Sequence, residues 1–203
     1  FMDRLTEVLA QPAPQGGEHV TTATHSEDPA FSLDDGDEEV NILQIPEGTS
    51  ELREDAFNSS NDTMSEYLDN SIEISEVRFP SSLEEIGTRS FYDNFALEKL
   101  DFSNATSLKY IESSAFESCF GLETVDLSNT ELRYLGKESF KNCEALTSVR
   151  LPNTVEHIKD MAFQDCYELS TINFPESLKT IGYGAFYSCS LIEVDLENTG
   201  SDA

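Results

Sequence analysis

Apolar residues recur along this chain in a fixed unit rather than in one long helical or strand pattern. Six phenylalanines, Phe57, Phe91, Phe116, Phe140, Phe163 and Phe186, stand at intervals of 34, 25, 24, 23 and 23, each after a small residue. The cleanest unit runs Leu146, Val149, Leu151, Pro152, Val155, Ile158, Ala162, Phe163, Cys166. The next runs Leu169, Ile172, Phe174, Pro175, Leu178, Ile181, Gly182, Ala185, Phe186, Cys189. Alignment on the phenylalanine brings in Ile74 to Phe91, Leu97 to Cys119 and Leu122 to Cys143, with a degenerate first copy near Val40 to Phe57 and a half-copy at Leu191, Val194 and Leu196. A period of this size means one small unit stacked on copies of itself, because a single unit cannot bury its apolar side alone.

Within each unit the V-x-L or V-x-F pair alternates with polar residues, the period-two signal of a short strand with one buried face. Strands of successive units are expected to pair in parallel, with a rise of about 4.8 Å per unit. The proline or Ser-Asn that follows turns the chain, and the L-x-x-I-G segment after it supplies a second apolar edge. Gly87, Gly136 and Gly182 are expected at turns with positive φ. The small residues Ala56, Ser90, Ala115, Ser139, Ala162 and Ala185 are expected where neighbouring units come closest, with the phenylalanines forming one internal column. The Leu97 copy carries two extra residues in its Ser103 to Ser107 turn, and the 34-residue interval is assigned to a polar loop, Asn61 to Ser71.

The recurring consensus, L-x-x-V-x-L-P-x-S-L-x-x-I-G-x-x-A-F-x-x-C, resembles the BspA-like (Treponema-type) leucine-rich repeat over residues 40–198. The resemblance implies a curved, right-handed leucine-rich-repeat-like solenoid of about six repeats of 23 residues, with a parallel β-sheet on one face and short turns or strands on the other. It also implies adhesion or protein binding, in a secreted or cell-surface setting. Period and spacing alone imply only the solenoid.

Outside the repeat lie a leader, residues 1–39, and a tail, residues 199–203. Phe1, Met2, Leu5, Val8 and Leu9 have helical spacing up to Pro12 and Pro14. That helix would serve as a cap for the open apolar end or as a docking segment, unless it is disordered. The polar run behind it ends in Asp34-Asp35-Gly36-Asp37-Glu38-Glu39. A chain that opens on Phe1 is expected to be a processed or trimmed piece.

Charge narrows the function classes. Forty acidic against twelve basic residues give a formal net charge of −28. Such a chain does not suit nucleic acid or an anionic membrane surface, which call for clustered Lys and Arg. The acidity serves solubility, or forms an acidic face for a basic partner. Calcium is a weak third reading, since Asp34, Asp35 and Asp37 lack the loop-closing glutamate. No apolar run approaches the roughly 18 residues of a transmembrane helix.

No constellation in the sequence carries catalysis. Cys119, Cys143, Cys166 and Cys189 each follow the repeat phenylalanine by three residues, and Asn94 takes that place one unit earlier. One cysteine per unit makes a line, not the convergent pairs a zinc site needs. The line reads as a ladder of small buried side chains, with disulfides between adjacent units as the alternative. His19 and His25 lie in the leader, and His157 is assigned to an exposed turn. Neither a nucleophile–base arrangement nor a phosphate-binding loop is present, so the chain is expected to be no enzyme and to need no cofactor or metal.

A partner would meet the outward strand positions: Glu76, Lys99, Thr124, Ser148, Thr171 and Glu193 in one column, Arg78, Asp101, Asp126, Arg150, Asn173 and Asp195 in the other. A second candidate is an aromatic edge at Phe95, Phe120 and Tyr167, near Tyr92 and Tyr187, either half-buried packing between units or a binding ridge. The function these features suggest is a non-enzymatic scaffold for binding another protein. The alternatives are a subunit held permanently in a larger assembly through leader and acidic surface, and, with little support, a polysaccharide-binding or hydrolysing enzyme.

Overall fold

The computed structural model describes residues 42–60 and 74–191. The leader, the Asn61 to Ser71 segment, Glu193, Asp195 and the tail lie outside the described residues. Among the described residues twelve short strands follow one another: β1 Ile42–Gln44, β2 Glu51–Leu52, β3 Glu76–Arg78, β4 Glu85–Ile86, β5 Lys99–Asp101, β6 Tyr110–Ile111, β7 Thr124–Asp126, β8 Tyr134–Leu135, β9 Ser148–Arg150, β10 His157–Ile158, β11 Thr171–Ile172 and β12 Thr180–Ile181. Odd-numbered strands form one six-stranded sheet and even-numbered strands another, each in sequence order and wholly parallel. Each repeat is thus one rung of a β-solenoid, and the second apolar edge is itself a sheet.

Register places like on like. Leu43 pairs with Val77 and Val77 with Leu100 in the first sheet, and Val125 with Val149 and Val149 with Ile172 further along it. Leu52, Ile86, Ile111, Leu135, Ile158 and Ile181 form the matching column of the second sheet. Between β5 and β7 the paired register shrinks to Lys99 with Thr124, where the turn after β5 holds its two extra residues. Buried Ala105 lies in that turn.

Between the sheets the six repeat phenylalanines form one stack. Successive ring centroids lie 5.2, 5.2, 5.1, 5.5 and 5.4 Å apart, with interplanar angles of at most 15°. Phe57, Phe91, Phe116, Phe140 and Phe163 are buried. A second column behind β3 and β5 packs Phe79 on Phe102 at 4.5 Å and turns Phe79 edge-on to Phe91 at 6.0 Å.

The phenylalanine side of each rung carries a third backbone ladder. Residues two before the phenylalanine have positive φ in all six copies: Asp55, Arg89, Ser114, Glu138, Met161 and Gly184. Residues two after it do so in five: Asp93, Ser118, Asn142, Asp165 and Ser188. The alternation aims every second N–H along the stack. Ser114 donates to Lys137 O, Phe116 to Ser139 O and Ser118 to Lys141 O, each at 2.8 Å, and the pattern repeats rung by rung. Left-handed backbone is costly for residues other than glycine. Here, by satisfying buried amides, it provides what a strand would otherwise provide.

The glycines after the second strand depart from the expected positive φ, which appears only at Gly48 and Gly184 among the described glycines. Gly87, Gly136 and Gly182 are there for space. A Cβ on Gly136 would stand 2.5 Å from Glu112 C and 2.7 Å from Glu112 O, and one on Gly87 would stand 2.4 Å from Leu52 O. His157 also departs from expectation. It lies in β10, half-buried, with Nδ1 2.8 Å from Thr180 Oγ1.

Two neighbouring substitutions should move stability in opposite directions. Phe140→Ala opens a void in the ring stack and should destabilise by about 3 to 5 kcal/mol in denaturant unfolding. Ser139→Ala removes a buried hydroxyl that has no hydrogen-bond partner and should be neutral or stabilising by up to about 1 kcal/mol.

Candidate functional site

The outward face of the first sheet is occupied largely by its own interactions. Glu76 is buried beneath Arg78 and Lys99: its Oε1 lies 2.5 Å from Arg78 Nε and its Oε2 3.2 Å from Lys99 Nζ. Burial pushes the Glu76 carboxyl up, but the Arg78 and Lys99 hydrogen bonds outweigh it and hold the group below the usual carboxylate range. Arg150 Nη1 sits 3.5 Å from Asp126 Oδ2. Three acids, Glu76, Asp101 and Asp126, therefore balance the cations Arg78, Lys99 and Arg150 on this face.

The alternation of sign in the second column has a local cause. Where proline follows the strand, at Pro80, Pro152 and Pro175, the position two residues earlier is Arg78, Arg150 or Asn173. Where serine replaces it, an aspartate stands there and accepts the extra N–H: Ser103 N donates to Asp101 Oδ1 and Ser128 N to Asp126 Oδ1, both at 2.9 Å. Proline has no N–H to satisfy. Asn173 extends the ladder past β11, accepting from Leu151 N at 2.7 Å and donating to Leu151 O at 3.0 Å. Thr124 and Thr171 are exposed and Ser148 half-buried.

The aromatic edge is open to solvent. Phe95, Phe120 and Tyr167 are 55%, 39% and 48% exposed. They occupy equivalent places four residues after the repeat phenylalanine, with Glu144 filling that place between the last two. Phe95 O accepts Gly121 N, and Phe120 O accepts Ala145 N, both at 3.2 Å, so rung stacking fixes the backbone under the edge. Tyr187 is exposed as well, whereas Tyr92 is half-buried.

The outward face of the second sheet was not singled out from sequence. Its column reads Glu51, Glu85, Tyr110, Tyr134, His157, Thr180. The signal was a tyrosine before the buried aliphatic in two successive repeats. Tyr110 and Tyr134 have centroids 5.4 Å apart, tilted by 45°. Tyr134 OH donates to Glu112 Oε1, while burial and that carboxylate push the phenol well above its ordinary value. Glu85 is raised too, by burial and then by the charges of Glu51 and Glu112.

The cysteines are inert by position. All four are free. Each Sγ lies 3.1 to 3.3 Å from the carbonyl of the preceding rung's phenylalanine, and Asn94 Nδ2 makes the same contact to Phe57 O at 2.7 Å. Burial drives Cys119, Cys143 and Cys166 far above the ordinary thiol range, and half-buried Cys189 up to about 11. Among the described residues no group of three His, Cys, Asp or Glu could hold a metal ion, and no helix is long and apolar enough to cross a membrane.

Two parallel sheets, one rung per repeat and a continuous core column define a leucine-rich-repeat solenoid. The model of the BspA type leucine rich repeat region, with six copies, matches residues 133–201, the C-terminal third of the chain. Among solved structures it is similar to a leucine-rich repeat protein of Treponema pallidum, at 23% identity and a TM-score of 0.50, covering 81% of this chain and 89% of that one. It is also similar to a leucine-rich repeat protein of Eubacterium ventriosum, at 25% identity and a TM-score of 0.59, covering 78% of this chain and 39% of that one. No curated protein matches the sequence.

Two outcomes follow from these environments. A thiol reagent should leave Cys119, Cys143 and Cys166 unmodified in the native protein and modify Cys189 slowly, with all four reacting on unfolding; mass spectrometry counts the adducts. A carboxyl with a raised folded pKa contributes stability that is present below its unfolded value and lost as pH rises through the folded one. Glu85→Gln should therefore raise Tm near neutral pH, and the gain should vanish as pH falls below the ordinary value of 4.5.

Proposed function

We propose that this solenoid is a non-enzymatic protein-interaction module whose partner contacts the aromatic edge of Phe95, Phe120 and Tyr167. The observation that carries the reading is the exposure of three large aromatic side chains at one repeat position. Large aromatics of this kind anchor protein interfaces. The neighbouring sheet face serves as a polar border: its cations are already paired with its own carboxylates, so they have little charge left for a partner. The acidic surface favours a partner with basic residues around an apolar groove. On family grounds the role is adhesion, in a secreted or cell-surface setting.

A native pull-down with mass spectrometry identifies the partner, and titration then separates the surfaces. The triple change Phe95→Ser, Phe120→Ser, Tyr167→Ser should weaken binding at least tenfold, about 1.4 kcal/mol, with Tm nearly unchanged because these side chains are exposed. Reversal of Arg78, Lys99 and Arg150 to Glu should alter affinity far less. The opposite ranking would make the sheet face the working surface. Recovery of the protein only inside a complex of fixed stoichiometry would replace the module by a permanently bound subunit.

A further inference from the structure

On the second sheet, the position after the aliphatic column of Leu52 to Ile181 reads Arg53, Gly87, Glu112, Gly136, Lys159, Gly182 along the stack. Glycine thus falls on alternate rungs, each time where a side chain would collide with the preceding rung. At Gly136 the omission leaves bare backbone between Glu112 and Lys159, which lie two rungs or about 10 Å apart. The result is an open cleft of about 470 Å³, bordered by Glu112, Ser113, Tyr134, Lys137, Lys159 and Asp160.

The walls are held in place. Tyr134 OH donates to Glu112, and Lys159 Nζ lies 5.7 Å from the centre of the Tyr134 ring. Lys159 makes no ion pair with a described residue, in a chain with forty acids and twelve bases. Lys137 Nζ is only 3.8 Å from Glu138 Oε1, a long contact at an exposed site. Asp160 Oδ1 accepts Tyr183 N at 2.8 Å, which fixes that carboxylate at the rim.

We propose that this cleft binds a neutral saccharide unit. Two carboxylates and two ammonium groups make it charge-balanced, so its local field selects neither cation nor anion. The overall charge of −28 opposes anions, and cations find more favourable ground on the acidic remainder of the surface. A sugar hydroxyl both donates and accepts, and so matches alternating Lys, Ser, Glu and Asp groups. Tyr134 adds an apolar border to the cleft, and the volume falls within the range of about 300 to 1,000 Å³ of small-ligand sites. This site is independent of the aromatic edge.

The test is amide chemical-shift titration of the full ¹⁵N-labelled chain with cellobiose, lactose and N,N′-diacetylchitobiose, and separately with acetate and with lysine amide. At least one sugar should produce saturable shifts centred on Ser113, Gly136, Lys137 and Asp160. Lys159→Ala and Tyr134→Phe should each weaken that binding at least about tenfold while leaving the amides of Phe140 and Cys143 in place. Tyr134→Phe keeps the ring and its volume, so it reports on the hydroxyl and Glu112 even if Lys159→Ala disturbs the fold. Absence of saturable shifts with all three sugars, shifts centred elsewhere, or saturation by acetate or lysine amide alone would overturn the proposal.

Discussion

Every rung of this molecule must repeat at one strand spacing, and that requirement governs what each position can hold. Parallel strands lie about 4.8 Å apart, close to the separation at which aromatic rings stack, so a phenylalanine in each repeat meets another directly above it. The ring column, with centroids 5.1 to 5.5 Å apart, therefore fills the interior and keeps the rungs in register. The same spacing lets three backbone ladders run in parallel, one on each side of the rung. It also lets a cysteine thiol reach the carbonyl of the rung before it. Where two rungs approach more closely than a Cβ permits, only glycine remains.

Much of this was legible in the sequence, because buried columns repeat chemically. The phenylalanines, the V-x-L strands and the cysteine positions announced themselves by period, and register followed from period. The glycines were misassigned for a physical reason: close approach and positive φ both call for glycine, and only coordinates separate them. The left-handed ladder was hidden because Arg89, Glu138 and Met161 occupy it, residues that carry no turn signature. His157 was placed in a turn because a two-residue strand is too short to show alternation.

The candidate surfaces were harder to read, since outward positions answer to local needs as well as to partners. Asp101 and Asp126 read in the sequence as part of a polar face of mixed sign, yet each satisfies the serine N–H that a proline would have removed. Arg78 and Lys99 hold down one buried carboxylate. With those roles assigned, the cations of the sheet face are paired within it, and the exposed aromatics stand as the proposed contact surface. The tyrosine cleft went unremarked because it depends on what is missing at Gly136 as much as on what is present around it.

Native-state hydrogen exchange tests most directly whether ring stacking and the backbone ladder beside it bind the rungs into one unit. The amides of Phe91, Phe116, Phe140 and Phe163 donate to carbonyls of the following rung at 2.8 Å. If the column is the common constraint, these amides exchange only by opening reactions whose free energies approach that of global unfolding, and they do so together. Exchange of these four amides at loop-like rates, or at widely separated free energies within one intact chain, would contradict that dependence.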